Sequence, residues 1–298
     1  MEQLKQLLTA AGIAYKENEP LAAHCTFKIG GPARLFVQPT DRAQLCRAVA
    51  LCKVQGVRYY LLGNGSNILF ADEGYNGAVL DVSSMQDAVE VHGTQLTAGA
   101  GVRLSALCKT ALEHGLTGLE FAYGIPGTVG GAVYMNAGAY GGEMKDVLTT
   151  VQYLTAEGEV KESAASELDL RYRHSIFEEN GGCILSAQFA LTPGEPEAIR
   201  AKMDELMAKR LDKQPLDKPS AGSTFKRPAG AFAAALIDQC GLRGFRHGGA
   251  AVSEKHCGFV VNLGGASCAD VLALCEEVRT IVKEKTGYDL EKEIRVVR

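Results

Sequence analysis

Apolar residues spaced three and four positions apart predict helices in several parts of the chain, the first a short amphipathic helix within residues 1–20. Two others have recognisable starts, because Asp41 with Gln44 and Ser267 with Asp270 have the spacing of capping pairs. The positions predicted to face inward are Leu104, Leu107, Cys108, Ala111 and Leu112 in one helix; Ile199, Met203 and Leu206 in a helix from Pro196 to about Asp212; and Val271, Leu274, Cys275, Val278, Ile281 and Val282 after Ser267.

Other segments have the composition of strands. Residues 57–62 predict a buried strand, residues 151–160 a hairpin and residues 290–297 a last strand. Helices and strands alternate without an internal repeat, which indicates an α+β protein. In a further strand, residues 183–192, the side chains predicted to share one face are Leu185, Ala187, Phe189 and Leu191, opposite Ile184.

Length and composition narrow the class of protein. The chain has 298 residues, which suggests two domains or three small lobes. Its net charge of −4 gives no indication of a nucleic-acid partner, and no signal-peptide core or membrane-spanning run of apolar residues is recognisable. The nine cysteines include no CxxC pair, so we predict buried thiols in a reducing cytoplasm rather than disulfides or a metal site. The proline-rich segment 213–230 is typical of a domain boundary or a functional loop.

Two glycine-rich segments are the candidates for chemistry. The turn GNGSN, residues 63–67, follows a predicted strand, as a phosphate-binding turn does. It is not a dinucleotide fingerprint, because Ile68 stands where the third glycine is required, and no P-loop lysine follows. The second segment, residues 124–142, is richer in glycine. Glycine is needed where φ is positive or where the backbone closely approaches another group, so these segments are either tight turns or a site for a phosphate-bearing cofactor.

Together with other stretches, these segments resemble the UDP-N-acetylenolpyruvoylglucosamine reductase (UDP-N-acetylmuramate dehydrogenase) family of flavoenzymes. The resemblance covers nearly the whole chain. The stretches that show it are TFKIGGPARLF, GNGSNIL, GIPGTVGGAVYMNAGAYG, YRHSIF, PSAGSTFKRP, LIDQCGLRGFRHGGAAVSEKHCGFVVN and EIRVV.

The resemblance implies a fold and an activity. The fold is the α+β FAD-binding fold of the vanillyl-alcohol oxidase type, with two FAD-binding lobes at 1–80 and 81–212, a third α+β substrate lobe at 213–293, and a last strand, 294–298, that returns to the first lobe. The activity is NADPH-dependent reduction of UDP-N-acetylglucosamine enolpyruvate to UDP-N-acetylmuramate through FAD, in cell-wall precursor synthesis. Because the turn 63–67 contains no histidine, non-covalent FAD is expected.

Three residues match the catalytic positions of the family: Arg173 of YRHS, Ser223 of AGSTF and Glu293 of EIR. Hydride addition leaves negative charge on the substrate's enolpyruvyl group, which suits a planar, permanently charged guanidinium. Glu293 is expected to hold or protonate the enol oxygens, and Ser223 to donate a proton to C2. Outside the family match, each residue type has an ordinary structural role: a surface arginine, a turn serine and a solvated carboxylate at a strand end.

The remaining site residues are also implied by the resemblance. The expected FAD contacts are Gly63, Asn64, Gly65, Ser66, Asn67, Gly124, Ile125, Pro126, Gly127, Thr128, Gly130, Gly131, Ala132, Asn136, Gly138, Arg210 and Arg295. The expected substrate contacts are Tyr140, Tyr172, Lys213, Arg227 and His256, with the two cations near the diphosphate.

The chain resembles the shorter class of the family, because residues 172–196 leave no room for the extra strands of the longer class. The expected partner is a small UDP-sugar, with no nucleic acid, membrane or metal ion, in a cytoplasmic protein for which a monomer is plausible. Two alternatives stay open: another FAD-dependent oxidoreductase of the same fold, and a non-catalytic nucleotide-binding module. A metal-dependent enzyme using His24, Cys25 or His256 has no support from ligand spacing.

Overall fold

A computed structural model describes residues 1–85 and 87–298 of the chain. The helices of this part are α1 (Glu2–Ala10), α2 (Arg42–Val54), α3 (Leu104–Glu113), α4 (Val129–Tyr134), α5 (Phe177–Asn180), α6 (Pro196–Lys213), α7 (Ala233–Gln239) and α8 (Cys268–Thr286). The strands are β1 (Ala14–Pro20), β2 (Pro32–Gln38), β3 (Tyr59–Leu62), β4 (Ile68–Phe70), β5 (Tyr75–Asp81), β6 (Val89–His92), β7 (Gln95–Gly99), β8 (Leu116–Thr117), β9 (Gly138–Ala139), β10 (Gly142–Glu143), β11 (Leu148–Leu154), β12 (Val160–Ala164), β13 (Cys183–Ala190), β14 (Thr192–Pro193), β15 (Ser220–Ser223), β16 (Arg246–His247), β17 (Ala250–Val252), β18 (Phe259–Asn262) and β19 (Arg295–Val297).

The predicted helix starts are confirmed where side-chain caps define them. The Asp41 carboxylate accepts a hydrogen bond from the Gln44 backbone N–H at 2.8 Å, just before α2. Ser267 and Asp270 form a reciprocal capping box at the start of α8, and Gly287 ends that helix in the left-handed conformation. These short-range signals need no tertiary contact, which explains why sequence alone identified them.

The chain divides by its internal contacts into two units. Unit 1 comprises residues 1–16, 35–64 and 77–209, and unit 2 comprises residues 17–34, 65–76 and 210–298. Each unit is therefore assembled from three separate stretches of sequence. The three lobes expected from the resemblance are contiguous blocks except for the last strand, 294–298, which is expected to return to the first lobe. That finer division stays a prediction.

Unit 1 contains a five-stranded antiparallel sheet of order β12-β11-β13-β7-β6. The predicted hairpin of residues 151–160 is the β11–β12 pair at its edge. β13 is buried on both faces, Ile184 as well as Leu185, because it is the central strand of this sheet.

A second sheet has the order β1-β2-β5-β3, with β3 and β5 parallel. The sequence predicts β3 as a buried strand, but three of its four residues are only half-buried. Its place at the edge of the sheet explains the difference, because an edge strand has a neighbour on one side only. Three of the boundaries between the units fall inside β1, β2 and β5, and the others fall in the turn 63–67 and inside α6.

Unit 2 contains the antiparallel sheet β15-β18-β17-β16, against which α8 packs, and a parallel pair of β4 and β19. The predicted last strand, 290–297, forms only over Arg295–Val297. Residues Lys292 and Glu293 pair instead with Phe225 and Thr224, through an antiparallel bridge and a backbone hydrogen bond. Glu293 therefore precedes the strand on which the sequence placed it.

The nine cysteines are free thiols, eight of them buried. Burial raises the pKa of Cys52 to about 11, so this thiol stays protonated and unreactive at neutral pH. Within the described residues, no helix has the length and apolar character required to cross a membrane.

Candidate functional site

In unit 1, the start of the first glycine turn packs directly on the second glycine-rich segment. A Cβ atom on Gly63 would lie 2.5 Å from the Thr128 Oγ1 atom, so only glycine fits there. The Asn64 side chain donates a hydrogen bond to the Pro126 carbonyl at 2.7 Å. The two segments that the sequence singled out, 60 residues apart in the chain, are thus in contact, as a shared cofactor site requires.

Three glycines of the second segment, Gly130, Gly138 and Gly142, are required for close packing within the protein. A Cβ on Gly130 would lie 2.8 Å from Ala100 Cβ, and one on Gly142 would lie 2.6 Å from the Phe121 ring. Among the glycines of 124–142, Gly141 has a positive φ, +93°. Gly131 has more room, since its Cβ would be 3.5 Å from Thr128 Oγ1. Tight packing therefore explains more of the glycine content than turns do.

The second part of the first turn lies in unit 2. Gly65 has φ +60°, and a Cβ there would lie 2.5 Å from the His24 carbonyl oxygen. The backbone N–H groups of Gly65 and Ser66 donate no hydrogen bond to any residue that the structure describes. Consecutive unused N–H groups after a positive-φ glycine suit an anion such as a phosphate, so this turn fits the diphosphate of FAD.

Arg173 lies at the tip of a two-residue hairpin in unit 1. Arg171 and His174 exchange two backbone hydrogen bonds of 3.2 Å, which leaves Tyr172 and Arg173 as the central residues. Arg173 has φ +56°, a conformation that costs a residue with a side chain about 1–2 kcal/mol. Its guanidinium lies 5.0 Å from the centre of the Tyr172 ring and donates to the Gly138 carbonyl at 3.4 Å. Such strain at a turn is found at functional sites, where the surrounding structure enforces it.

Ser223 and Glu293 are brought together in unit 2. Ser223 ends β15, and the next residue, Thr224, accepts a 2.8 Å hydrogen bond from the Glu293 backbone N–H. The Glu293 carbonyl in turn accepts from the Asn67 side chain at 3.3 Å. Two predicted catalytic residues and one predicted FAD contact therefore converge from three distant parts of the sequence.

The other residues predicted to contact FAD differ in how many hydrogen bonds they form within the protein. Arg295 begins β19, and its N–H donates to the Asn67 carbonyl at 3.0 Å. Arg210 lies in the last turn of α6. Asn136 is fully buried, and its Nδ2 donates to the Glu143 carboxylate and the Arg171 carbonyl while its Oδ1 accepts from the Lys145 N–H. We therefore expect Asn136 to reach a cofactor through its backbone alone.

The predicted substrate residues divide between the two units. Tyr140, with φ +53°, and Tyr172 belong to unit 1, and both are more than two-fifths exposed. Lys213 is the last residue of α6 and is exposed. The Arg227 guanidinium lies 4.8 Å from the centre of the exposed Phe232 ring. Phe232 is not among the predicted residues, because its contact with Arg227 and its exposure are visible only in the structure.

His256 forms a structural hydrogen bond in the turn between β17 and β18. Its Nδ1 accepts from the Gly258 N–H at 3.1 Å, and its ring packs edge-to-face on Phe259. Burial, supported by the charge of Arg243, lowers the pKa of the imidazole, while a backbone hydrogen bond opposes the shift. Folding therefore favours the neutral form of His256.

This neutral state predicts a pH dependence of stability. In the unfolded chain, where a histidine has a pKa of about 6.5, His256 binds a proton more readily than it does in the folded protein. The free energy of unfolding should therefore rise with pH between the lowered pKa of folded His256 and about 6.5. Urea unfolding of the wild type and His256→Gln between pH 5 and pH 7.5 measures the effect. The wild type should gain more stability over this range than the variant, and equal slopes would contradict the assignment.

Two family models match the chain. A "FAD binding domain" model matches residues 33–164, and a "UDP-N-acetylenolpyruvoylglucosamine reductase, C-terminal domain" model matches residues 214–297. The first match includes both glycine-rich segments, and the second includes Ser223 and Glu293.

Curated relatives match over almost their whole length. The UDP-N-acetylenolpyruvoylglucosamine reductase of Agathobacter rectalis is 48% identical, over 99% of this chain and 96% of the relative. The enzyme of the same name from Lachnoclostridium phytofermentans is 46% identical, over 100% and 96%.

Solved structures match the chain over almost its whole length or over part of it. The crystal structure of the Thermus caldophilus UDP-N-acetylenolpyruvylglucosamine reductase matches with a TM-score of 0.79 and 34% identity, over 96% of this chain and 99% of that one. A Physcomitrella patens protein titled BBE-like 1 matches 64% of this chain and 44% of its own, with a TM-score of 0.51 and 25% identity.

Proposed function

Because the chain belongs to the family of UDP-N-acetylenolpyruvoylglucosamine reductases, we propose that Arg173, Ser223 and Glu293 are its catalytic residues. The protein is an FAD-containing oxidoreductase with the FAD-binding fold of the vanillyl-alcohol oxidase type and a substrate-binding region. It reduces the enolpyruvyl group of a UDP-sugar in peptidoglycan synthesis, with NADPH as the reductant.

FAD supplies the hydride chemistry when it is bound. The proposed contacts are the turn 63–67 and the segment 124–138. The unused N–H groups of Gly65 and Ser66 support the first of these, and the room around Gly131 supports the second. The absence of a histidine from the turn supports non-covalent binding.

The three catalytic residues have complementary roles. Arg173 donates hydrogen bonds to the substrate carboxylate, where negative charge develops, and such stabilisation is worth a few kcal/mol in a site that excludes water. Glu293 holds or protonates the oxygens of the same group, and Ser223 donates a proton to C2. The observation that supports this assignment most directly is the backbone hydrogen bond from Glu293 to Thr224, which places Glu293 beside the residue that follows Ser223.

The UDP part of the substrate is proposed to contact the cations Lys213 and Arg227. Tyr140, Tyr172 and His256 are proposed as further substrate contacts. Because NADPH and nucleotide sugars are made inside the cell, we place the protein in the cytoplasm. We also propose that it acts as a monomer, which light scattering after gel filtration would test.

An anaerobic stopped-flow experiment tests the function at the flavin absorbance. The purified protein is reduced with NADPH and then mixed with UDP-N-acetylenolpyruvoylglucosamine. Bleaching by NADPH and recovery driven by the sugar are the expected results. Bleaching without recovery would indicate another flavin oxidoreductase of the same fold. Lack of any flavin absorbance after reconstitution with FAD would favour a nucleotide-binding module.

A further inference from the structure

The hairpin that bears Arg173 is fixed at both of its ends by buried side chains. Before it, the carbonyl of Arg171 accepts a hydrogen bond from Asn136 Nδ2 at 3.1 Å. After it, the Ser175 hydroxyl donates to the Tyr134 carbonyl at 2.7 Å. Asn136 and Ser175 are both fully buried, so neither is available to the solvent or to a large ligand.

Both bonds lead to the same short segment of chain, residues 134–136, where α4 ends. Tyr134 is the last residue of α4, and a carbonyl in the last turn of a helix has no partner within the helix. Asn136 has φ +41°, a conformation that asparagine tolerates better than most residues. Its side chain is locked further by a 2.9 Å bond to the Glu143 carboxylate and a 3.0 Å bond from the Lys145 N–H.

Residues that follow this segment, Gly138 and Glu143, also interact with the Arg173 guanidinium. Its Nη2 donates to the Gly138 carbonyl, two residues beyond Asn136. Hydrogen bonds from Lys145 and Asn136 keep the Glu143 carboxyl ionised and its pKa lowered, and its negative charge interacts with Arg173. The backbone and the side chain of Arg173 are therefore both held by the segment 134–143.

We propose that Asn136 and Ser175 are positioning residues for the reduction, which hold the strained hairpin so that the Arg173 guanidinium is presented to the substrate carboxylate. The proposal rests on the role of Arg173 given above. Electrostatic stabilisation is effective only when the charged group is already in place before the reaction, and an arginine at positive φ would relax without both attachments.

The test compares two variants with a matched control. Ser175→Ala removes the hydroxyl donor. The isosteric Asn136→Asp removes the Nδ2 donor to Arg171 and, with it, the hydrogen bond to the Glu143 carboxylate. Ser84→Ala is the control, since it loses a comparable 2.7 Å hydroxyl bond, to the Pro39 carbonyl, without touching the hairpin.

The readout separates the two half-reactions. We expect Ser175→Ala to slow the recovery of the flavin absorbance by the sugar substrate about ten- to hundredfold, the scale of a small misplacement of a catalytic group. Bleaching by NADPH should be unchanged in Ser175→Ala, and both half-reactions should be unchanged in Ser84→Ala. A purely structural role would slow both half-reactions together or neither, and either result would overturn the proposal.

Combination with Arg173→Ala gives the second readout. If Ser175 and Asn136 act through Arg173, neither Ser175→Ala nor Asn136→Asp should slow the recovery further in the Arg173→Ala background. Independent, multiplying losses would refute the positioning role and leave the proposed role of Arg173 intact. If the flavin absorbance of Arg173→Ala itself recovered at the wild-type rate, both the positioning role of Asn136 and Ser175 and the proposed role of Arg173 would be overturned.

Discussion

Ser223→Ala should slow the reoxidation of the reduced flavin by the enolpyruvyl sugar by about 10²- to 10⁴-fold, the range expected for loss of a positioned proton donor. In its proposed role the Ser223 hydroxyl, at the end of β15, donates the proton to C2, and alanine has no such proton. Bleaching of the flavin by NADPH should be nearly unaffected, because it needs no proton at C2.

The backbone around Ser223 makes this variant a clean test. Thr224 accepts the Glu293 N–H through its carbonyl, and its side chain accepts the Val260 N–H, so the attachment of β15 does not depend on the Ser223 hydroxyl. Ser166→Ala, at an exposed serine of unit 1, is the matched control. Equal losses in both half-reactions of Ser223→Ala would count against a proton-donor role.

Glu293→Gln is the second change with a large expected effect. Glutamine keeps the shape of the side chain and the backbone hydrogen bond to Thr224. Its amide can neither donate a proton to the substrate as a carboxylic acid does nor accept hydrogen bonds as a carboxylate does. We therefore expect the recovery of the flavin absorbance by the sugar substrate to slow by about a hundredfold or more. The reductive half-reaction should change little.

Glu291→Gln is the matched control for this variant. Glu291 is two residues away, well exposed, and ion-paired with Lys226. Surface ion pairs contribute little to stability, so this control should behave as the wild type in both half-reactions. If the flavin absorbance recovered as fast in Glu293→Gln as in Glu291→Gln, the Glu293 carboxylate would have no part in the chemistry.

The sequence predicted those features whose physical cause is local. The caps at Asp41 and Ser267 and the inward positions Ile199, Met203 and Leu206 of α6 are confirmed, because capping and helical periodicity act within a few residues. The hairpin of β11 and β12 is confirmed for the same reason.

Features that depend on distant contacts were not predictable. Nothing in the sequence around Glu293 shows that it precedes β19, since its partner Thr224 is far away in the chain. The positive φ of Arg173 was equally hidden, because arginine is not a residue that favours such a conformation. Asn136 was identified through the family resemblance as a cofactor contact, and its bond to Arg171 became visible only in the structure.

The pairing of β4 with β19 has a consequence for synthesis of the chain on the ribosome. Residues 68–70 follow the first glycine turn directly, yet their partner is residues 295–297, which are made much later. Contacts of such high sequence separation form late and slow folding. Unit 2 thus cannot be completed before residues 295–297 have been made, and a chain that stops short of them keeps an unpaired strand edge beside the turn 63–67. Such an edge is prone to aggregation, so a truncated product should be removed rather than accumulate as a defective flavoprotein.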